Sequence, residues 1–409
     1  MPRPPGDRLV LGRAGRRLLA AEAGQSVIVV GPTQSGKTTG FAVPAILAWE
    51  GPVLATSVKA DLVAATAARR REGGRVWVYD PAGASGMDPS PWSPLDGCAT
   101  WAGARRMAQG LCSVARSAVP GLADAEFWYA TAAKLLAPLL LAAARSGRTM
   151  AEVVAWVDTQ ETEEPAAVLA EIGAEPALRA ALASFGRDPR QRSSVYTTAE
   201  TVLEAFAEPA PEAPGPRVDL GQLLDGGHHT LYVCGPPREQ QRLQPAFAGL
   251  VSAALAAAYR RAGQPGAGTR LLVVLDEAAN IAPLADLDTV ASTASGAGVQ
   301  LVSIWQDMAQ IRARYGERAA TVVNNHRAKV VLSGVCDPAT LEHLSALIGE
   351  AEQPVSSFTW DRAGSASTTQ APALRRLAPS SGLRQIRPGE GVLVYGHLPP
   401  VRLRLQPWQ

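Results

Sequence analysis

Charge of one sign is the first thing this sequence lacks. Its 409 residues carry 39 Lys and Arg against 37 Asp and Glu, a formal net charge of +2. The bulk numbers therefore carry no strong nucleic-acid signature, although a local basic lining is compatible with a balanced total. Cysteine is scarce as well. Cys98, Cys112, Cys234 and Cys336 are the only four, and none are spaced as a zinc pair or a disulfide framework. That fits a reducing, cytoplasmic setting. No uninterrupted apolar run approaches the roughly 18 residues that mark a membrane span. The best candidate, Leu135 to Ala144, is interrupted by Pro138. The basic start, Met1 to Arg17, is not followed by an apolar signal core. There is no internal repeat. A soluble chain with no transmembrane segment is the expectation.

What the sequence does hold is apolar mass: 47% of residues are hydrophobic and 19% charged. That composition excludes wholesale disorder, and the length predicts about two to three domains. After a Pro/Arg/Gly-rich lead-in, residues 1–24, with at most an edge strand at Leu9 to Gly12, short β-branched runs alternate with helical stretches. Ser26 to Val30, Pro52 to Ser57 and Arg75 to Tyr79 read as strands. Thr39 to Trp49, bent by Pro44, and Asp61 to Glu72 read as helices. This alternation predicts a mostly parallel α/β sheet with right-handed crossovers.

The alternation stops after Asp80-Pro81. Thr100 to Phe206 is Ala/Leu-rich without a convincing strand, and residues 208–217 form a Pro-rich connector. An all-helical insertion over 82–217 is predicted, dividing the α/β domain into 25–81 and 218–409. Strands resume at Thr230 to Cys234, Arg270 to Leu275, Val299 to Ile304 and Lys329 to Ser333. Gly391 to Tyr395 and Val401 to Leu405 read as a closing hairpin. Val355 to Ser381, rich in Ser, Thr, Gly and Arg, reads as a mobile loop.

The chemistry concentrates in two places. Gly31-Pro32-Thr33-Gln34-Ser35-Gly36-Lys37-Thr38, followed by Thr39, fits the phosphate-binding pattern GxxxxGK[ST] between a strand and a helix. Glycines let the backbone approach phosphates, and N–H groups at a helix start face the anion. Lys37 reaches the β- and γ-phosphates of ATP, and Thr38 offers a hydroxyl to Mg²⁺. The apolar strand Leu271 to Leu275 ends in Asp276-Glu277. Asp276 suits the Mg²⁺ shell, and Glu277 suits a general base that polarises water. Gln306, just past a strand, either senses the γ-phosphate or is a solvated loop residue. Asp80 either approaches the site or caps its Asp-Pro turn. Arg312, Arg314 and Arg318 are candidates for an arginine presented across a subunit boundary, and each also reads as a solvated surface residue. His228-His229 are adjacent on an extended segment, so their side chains diverge and metal binding is disfavoured. Trp92, Trp101 and Trp128 read as core rather than base-stacking platforms.

With these motifs placed, the chain resembles the TraG/TraD-type coupling ATPases of conjugation and type IV secretion over nearly all of residues 25–409. The resemblance rests on the phosphate loop through Gly51-Pro52-Val53-Leu54, Ser57-Val58-Lys59-Ala60-Asp61, Asp80-Pro81 and Phe127-Trp128. It continues through Leu275-Asp276-Glu277-Ala278, Ser303-Ile304-Trp305-Gln306-Asp307, Asn324-Asn325-His326 and Gly334-Val335-Cys336-Asp337-Pro338. It implies a P-loop NTPase of the RecA-like, additional-strand type, assembled as a homo-oligomeric ring, a hexamer. In that setting Lys37, Thr38, Asp276, Glu277 and Gln306 carry ATP hydrolysis with Mg²⁺. The implied partners are sequence-tolerant single- or double-stranded DNA, relaxosome or secretion-substrate proteins, and membrane components of the secretion system. The implied location is cytoplasmic, peripheral to the inner membrane. Two departures stand out. Family members usually carry N-terminal membrane helices, which here are on a separate protein, upstream, or absent. The basic residue common before the sensor strand is missing from Ser295-Gly296-Ala297-Gly298.

Overall fold

The computed structural model describes residues 8–58, 60–118, 124–208, 213–263, 270–360 and 366–406. Its strands are β1 (Val10–Ala14), β2 (Arg17–Ala20), β3 (Val27–Val30), β4 (Val53–Ser57), β5 (Val76–Tyr79) and β6 (Thr230–Cys234). They continue with β7 (Leu271–Leu275), β8 (Val299–Trp305), β9 (Ala328–Leu332), β10 (Glu350–Trp360), β11 (Ala366–Arg376), β12 (Glu390–Tyr395) and β13 (Leu398–Arg404).

β3, with sequence VIVV, and β7, with LLVVL, are buried along their whole lengths. A strand apolar on both faces is stable only inside a sheet covered on both sides, which is the parallel α/β arrangement. The strands β9-β3-β8-β7-β4-β6-β5 pair in parallel in that order. Antiparallel β12, β13, β1 and β2 extend the sheet beyond β9 to eleven strands. β8 sits between β3 and β7, so the loop-bearing strand and the acid-bearing strand are not neighbours. This is the additional-strand arrangement of P-loop NTPases. At roughly 4.8 Å per strand it leaves about 10 Å between them, and the end of β8 projects into that gap.

Helices α1 (Val43–Ala48) and α2 (Ala60–Arg71) follow β3 and β4. Between β5 and β6 lie α3 (Trp101–Ala118), α4 (Ala125–Ser146), α5 (Met150–Asp158), α6 (Glu163–Glu171), α7 (Glu175–Phe185), α8 (Pro189–Leu203) and the short α9 (Leu220–Leu223). The rest are α10 (Gln240–Ala262), α11 (Leu287–Thr293), α12 (Met308–Tyr315), α13 (Ala319–Asn325), α14 (Pro338–Ile348) and α15 (Ser380–Arg384). The period of two along the strands divides the core. Val27, Val29, Leu272 and Val274 face Phe41, Ile46 and Leu62 on one side. Ile28, Val30, Val273 and Leu275 face the other side, where one continuous cluster runs through Phe247 and Leu250 of α10 into Leu111, Leu136 and Tyr196 of the helical stretch. The helices after β5 thus share a core with the sheet. Trp92 lies in that cluster, and Trp101 and Trp128 pack against it. α4 is long and apolar enough to cross a membrane by length and composition, yet 72% of its most apolar window is buried inside the protein.

Three segments differ from the sequence expectation. Of the loop expected over Val355 to Ser381, residues 361–365 lie outside the described residues, and most of the remainder is strand. β10 and β11 form an antiparallel two-stranded ribbon in continuous register from Glu350↔Arg376 to Trp360↔Ala366. None of its described side chains is buried, so no apolar alternation marked it as strand. The lead-in contains β1 and β2, and β2, not β1, is the edge. The helix expected from Thr39 opens instead as a wide π-type turn over Lys37–Ala42, in which Val43 N–H bonds Thr38 O five residues back. Pro44 lacks an N–H and its ring collides with the carbonyl four residues earlier in a regular helix, so the wider turn relieves both problems.

Candidate nucleotide site

The segment that fits the phosphate-binding pattern leaves β3 still tied to the sheet, with Gly31 N–H donating to Trp305 O of β8 at 3.0 Å. A side chain on Gly31 would put its Cβ 2.5 Å from Ser35 Oγ and 2.9 Å from Leu332 Cβ, so any other residue there forces its neighbours to shift. Gln34 (φ 65°) and Gly36 (φ 89°) both adopt left-handed backbone, which wraps the loop back on itself. Lys37 is 6% exposed, and its ammonium donates to Gly31 O and Pro32 O, each at 2.7 Å. Burial pulls its pKa below the ordinary lysine range, against the opposing charges of Glu277 and Asp276.

Across the gap, Thr38 Oγ1 donates to Asp276 Oδ2 at 2.9 Å. Asp276 is 5% exposed, and its other oxygen, Oδ1, is buried with no hydrogen-bond partner. Thr56 Oγ1 donates to the Asp276 carbonyl at 2.9 Å and fixes the strand end. Burial raises the Asp276 carboxyl to about 6; the Thr38 hydroxyl and Lys37 oppose this, and the neighbouring Glu277 charge reinforces it. Glu277 takes a left-handed conformation, φ 55°, unusual for a residue with a side chain. That turn directs its carboxylate to Gln306 Nε2, at 3.3 and 3.1 Å, and to Asn280 Nδ2, at 3.1 Å. Gln306 is therefore not a free loop residue.

Thr33, Gln34, Gly36, Lys37, Thr38, Thr39, Asp276, Glu277 and Gln306 together line a cleft of about 490 Å³. Gly31, Pro32 and Ser35 are not among its lining residues. An unpartnered carboxylate oxygen beside a hydroxyl is the hard-oxygen donor set that suits Mg²⁺, and the left-handed loop around Lys37 suits an oligophosphate.

A family model described as type IV secretory system conjugative DNA transfer matches residues 7–406. The chain belongs to that family. Conjugal transfer protein TraG of Escherichia coli is 27% identical over 360 residues, covering 80% of this chain and 55% of the relative. TraG of Agrobacterium fabrum is 26% identical, covering 100% of this chain and 64% of the relative. The chain thus spans about half to two thirds of the length of these relatives. Among solved structures, plasmid coupling protein TrwB in complex with ADP and Mg²⁺ matches with a TM-score of 0.73 and 19% identity, over 100% of this chain and 97% of that one. That likeness carries the fold.

In this DNA-transfer family member the three candidate boundary arginines are all engaged within the chain. Arg312 lies 3.8 Å from Asp337 and Arg318 forms a bidentate pair with Asp288. Arg314 donates to Pro283 O at 3.3 Å, and burial lowers its pKa. Asp80 caps its own turn, accepting from Ala84 and Ser85 N–H. His229 accepts from Arg75 N–H through Nδ1 and lies 3.2 Å from Asp225 through Nε2. Lys59 lies outside the described residues. Sequence reasoning missed Asn280, Gln240 and Asp61, which also line the cleft. Asn280 had a readable signal: it follows Glu277 by three residues, and its N–H closes the turn on Glu277 O at 2.8 Å.

Proposed function

We propose that this cleft binds ATP with Mg²⁺ and hydrolyses the nucleotide, and that hydrolysis drives DNA or a nucleoprotein into a type IV secretion channel. The observation that carries the hydrolytic reading is the Glu277 carboxylate, held by Gln306 and Asn280 next to the Thr38–Asp276 pair. The TrwB structures described as complexes with ADP and Mg²⁺ and with a non-hydrolysable ATP analogue support the ligand class. The family description and the conjugal-transfer relatives support DNA as the cargo.

In this reading the loop from Gly31 to Thr39 cradles the phosphates and Lys37 faces the β- and γ-groups. Thr38 and Asp276 hold Mg²⁺, which when bound offsets phosphate charge. Glu277 accepts a proton from the attacking water as the bond from the γ-phosphorus to ADP breaks. Gln306 orients that carboxylate and registers the γ-phosphate. Residues 25–81 and 218–409 serve as the motor, and 82–217 as the helical face toward relaxosome or secretion-substrate proteins. The working assembly is a homo-oligomeric ring, a hexamer, on the cytoplasmic side of the inner membrane beside the membrane components of the secretion system.

Purified protein with Mg²⁺ and ATP is expected to hydrolyse ATP faster when single- or double-stranded DNA of any sequence is added. Rising salt removes the stimulation, because phosphate tracking is electrostatic. Turnover indifferent to DNA at low salt sinks the DNA-motor reading. The pH dependence follows from Asp276. Its carboxyl titrates near 6, and only the carboxylate binds a metal, so Mg²⁺ affinity is full above that pH. It falls as pH drops through about 6, approaching roughly tenfold per unit below it. Calorimetric Mg²⁺–nucleotide titrations that stay flat between about pH 5 and 7.5 refute the metal role of Asp276.

The engagement of Arg312, Arg314 and Arg318 within the chain favours a second reading. With these three arginines held by partners in the same chain, the protein acts as a nucleotide-binding secretion adaptor that recruits protein substrates with little turnover. Capture of a relaxase-like protein by residues 82–217 of the intact chain, independent of nucleotide, supports it.

A further inference from the structure

His326 follows α13 and is fully buried. Its Nδ1 lies 2.7 Å from Val322 O. A carbonyl only accepts, so Nδ1 carries the ring proton. Burial pulls the imidazole down to about 4, so the ring is neutral at physiological pH and Nε2 is a bare acceptor. Ser303 Oγ, 2.9 Å from Nε2, must then donate its one proton to the ring. The serine oxygen in turn accepts Trp305 Nε1–H at 3.0 Å. Every proton in the series Trp305, Ser303, His326, Val322 has one place to go.

This series ends where the cleft begins. Trp305 is the last residue of β8, its carbonyl holds Gly31 N–H, and the next residue is Gln306, whose amide grips Glu277. The indole also meets Tyr315 edge-on at a centroid distance of 6.0 Å, and the Tyr315 hydroxyl donates to Leu284 O. Trp305 thus carries both the carbonyl that holds the first peptide of the loop and the peptide link to the residue that aims the base, while its buried indole is fixed by Ser303 and Tyr315.

We infer that His326 is a positioning residue for hydrolysis, acting through Ser303 and Trp305 to fix Gln306 and hence Glu277. The inference rests on the hydrolytic reading of the cleft. His326 is buried and is not among the residues that line the cleft, so its influence is expected on the chemical step and not on ATP binding. The alternative is a polar core network that contributes stability alone.

Two replacements separate these. Gln at 326 can place an amide oxygen near the position of Nε2 and keep an acceptor for Ser303. Asn reaches only as far as Nδ1; it can donate to Val322 O but leaves Ser303 without its acceptor. Steady-state ATP hydrolysis by the full chain is measured for wild type, His326→Asn, His326→Gln, Ser303→Ala and the His326→Asn/Ser303→Ala double variant, with melting temperatures to normalise for folded protein. Expected are kcat losses of about ten- to a hundredfold for His326→Asn and Ser303→Ala at unchanged KM for ATP. His326→Gln stays within about threefold of wild type, and the double variant is no slower than the singles, because all act through one series of bonds. If Asn and Gln variants show equal kcat per folded protein, or follow their melting temperatures alone, the inference is overturned. A wild type that binds ATP without turnover overturns the hydrolytic reading itself, and the inference with it.

Discussion

Glu277→Gln is expected to lower ATP turnover by about a thousandfold and to leave ATP binding intact. The magnitude is that of a lost general base. Gln keeps the size of the side chain, and the amide still offers one oxygen to Gln306 and Asn280, so the left-handed turn at φ 55° has partners to hold it. What is lost is the second oxygen and the charge that draws a proton from water. Because Glu277 sits opposite the phosphate loop, across the end of β8, the change falls on kcat. Single-turnover hydrolysis and equilibrium binding of a fluorescent ATP analogue separate the two quantities. A variant that loses both together refutes the role, since it shows that Glu277 holds the fold of the cleft rather than the reacting water.

Lys37→Ala is expected to have a different signature, weakening binding as well as turnover. A charge-assisted hydrogen bond is worth about 1.5–3 kcal/mol, so ATP binds roughly ten- to a hundredfold more weakly. Catalysis is expected to fall further, because in the proposed mechanism the ammonium would also face charge that builds on the γ-phosphate in the transition state. A structural effect adds to this. Lys37 clamps the carbonyls of Gly31 and Pro32 and is the cation whose charge opposes the upward shift of Asp276. Without it the Asp276 carboxyl rises further, and the Mg²⁺ requirement moves to higher pH. Unchanged ATP affinity in this variant excludes the loop as the phosphate site.

Some of this was written in the sequence. A loop needing glycines at fixed places, followed by a lysine and a threonine, admits few readings once a β-branched run precedes it. An apolar run ending in Asp-Glu is equally local, and its strand and its acids are neighbours along the chain. The parallel sheet was legible because continuous apolar runs such as VIVV and LLVVL have no other stable environment. The β10–β11 ribbon was illegible for the converse reason: none of its described side chains is buried, so no apolar alternation marks it.

What the sequence by itself determined is therefore the inventory: the phosphate loop, the acids, and the strands that carry them, all set by residues close together in the chain. What only the tertiary structure decided is who meets whom. Gln306 and Glu277 are 29 residues apart and Thr38 and Asp276 are 238 apart. They join because the sheet inserts β8 between β3 and β7, an order fixed by which strands bury each other and not by any local pattern. The same holds for the arginines. Their charge is visible in the sequence, but Asp337, Asp288 and the Pro283 carbonyl engage them only after folding brings distant acceptors within hydrogen-bond or ion-pair reach.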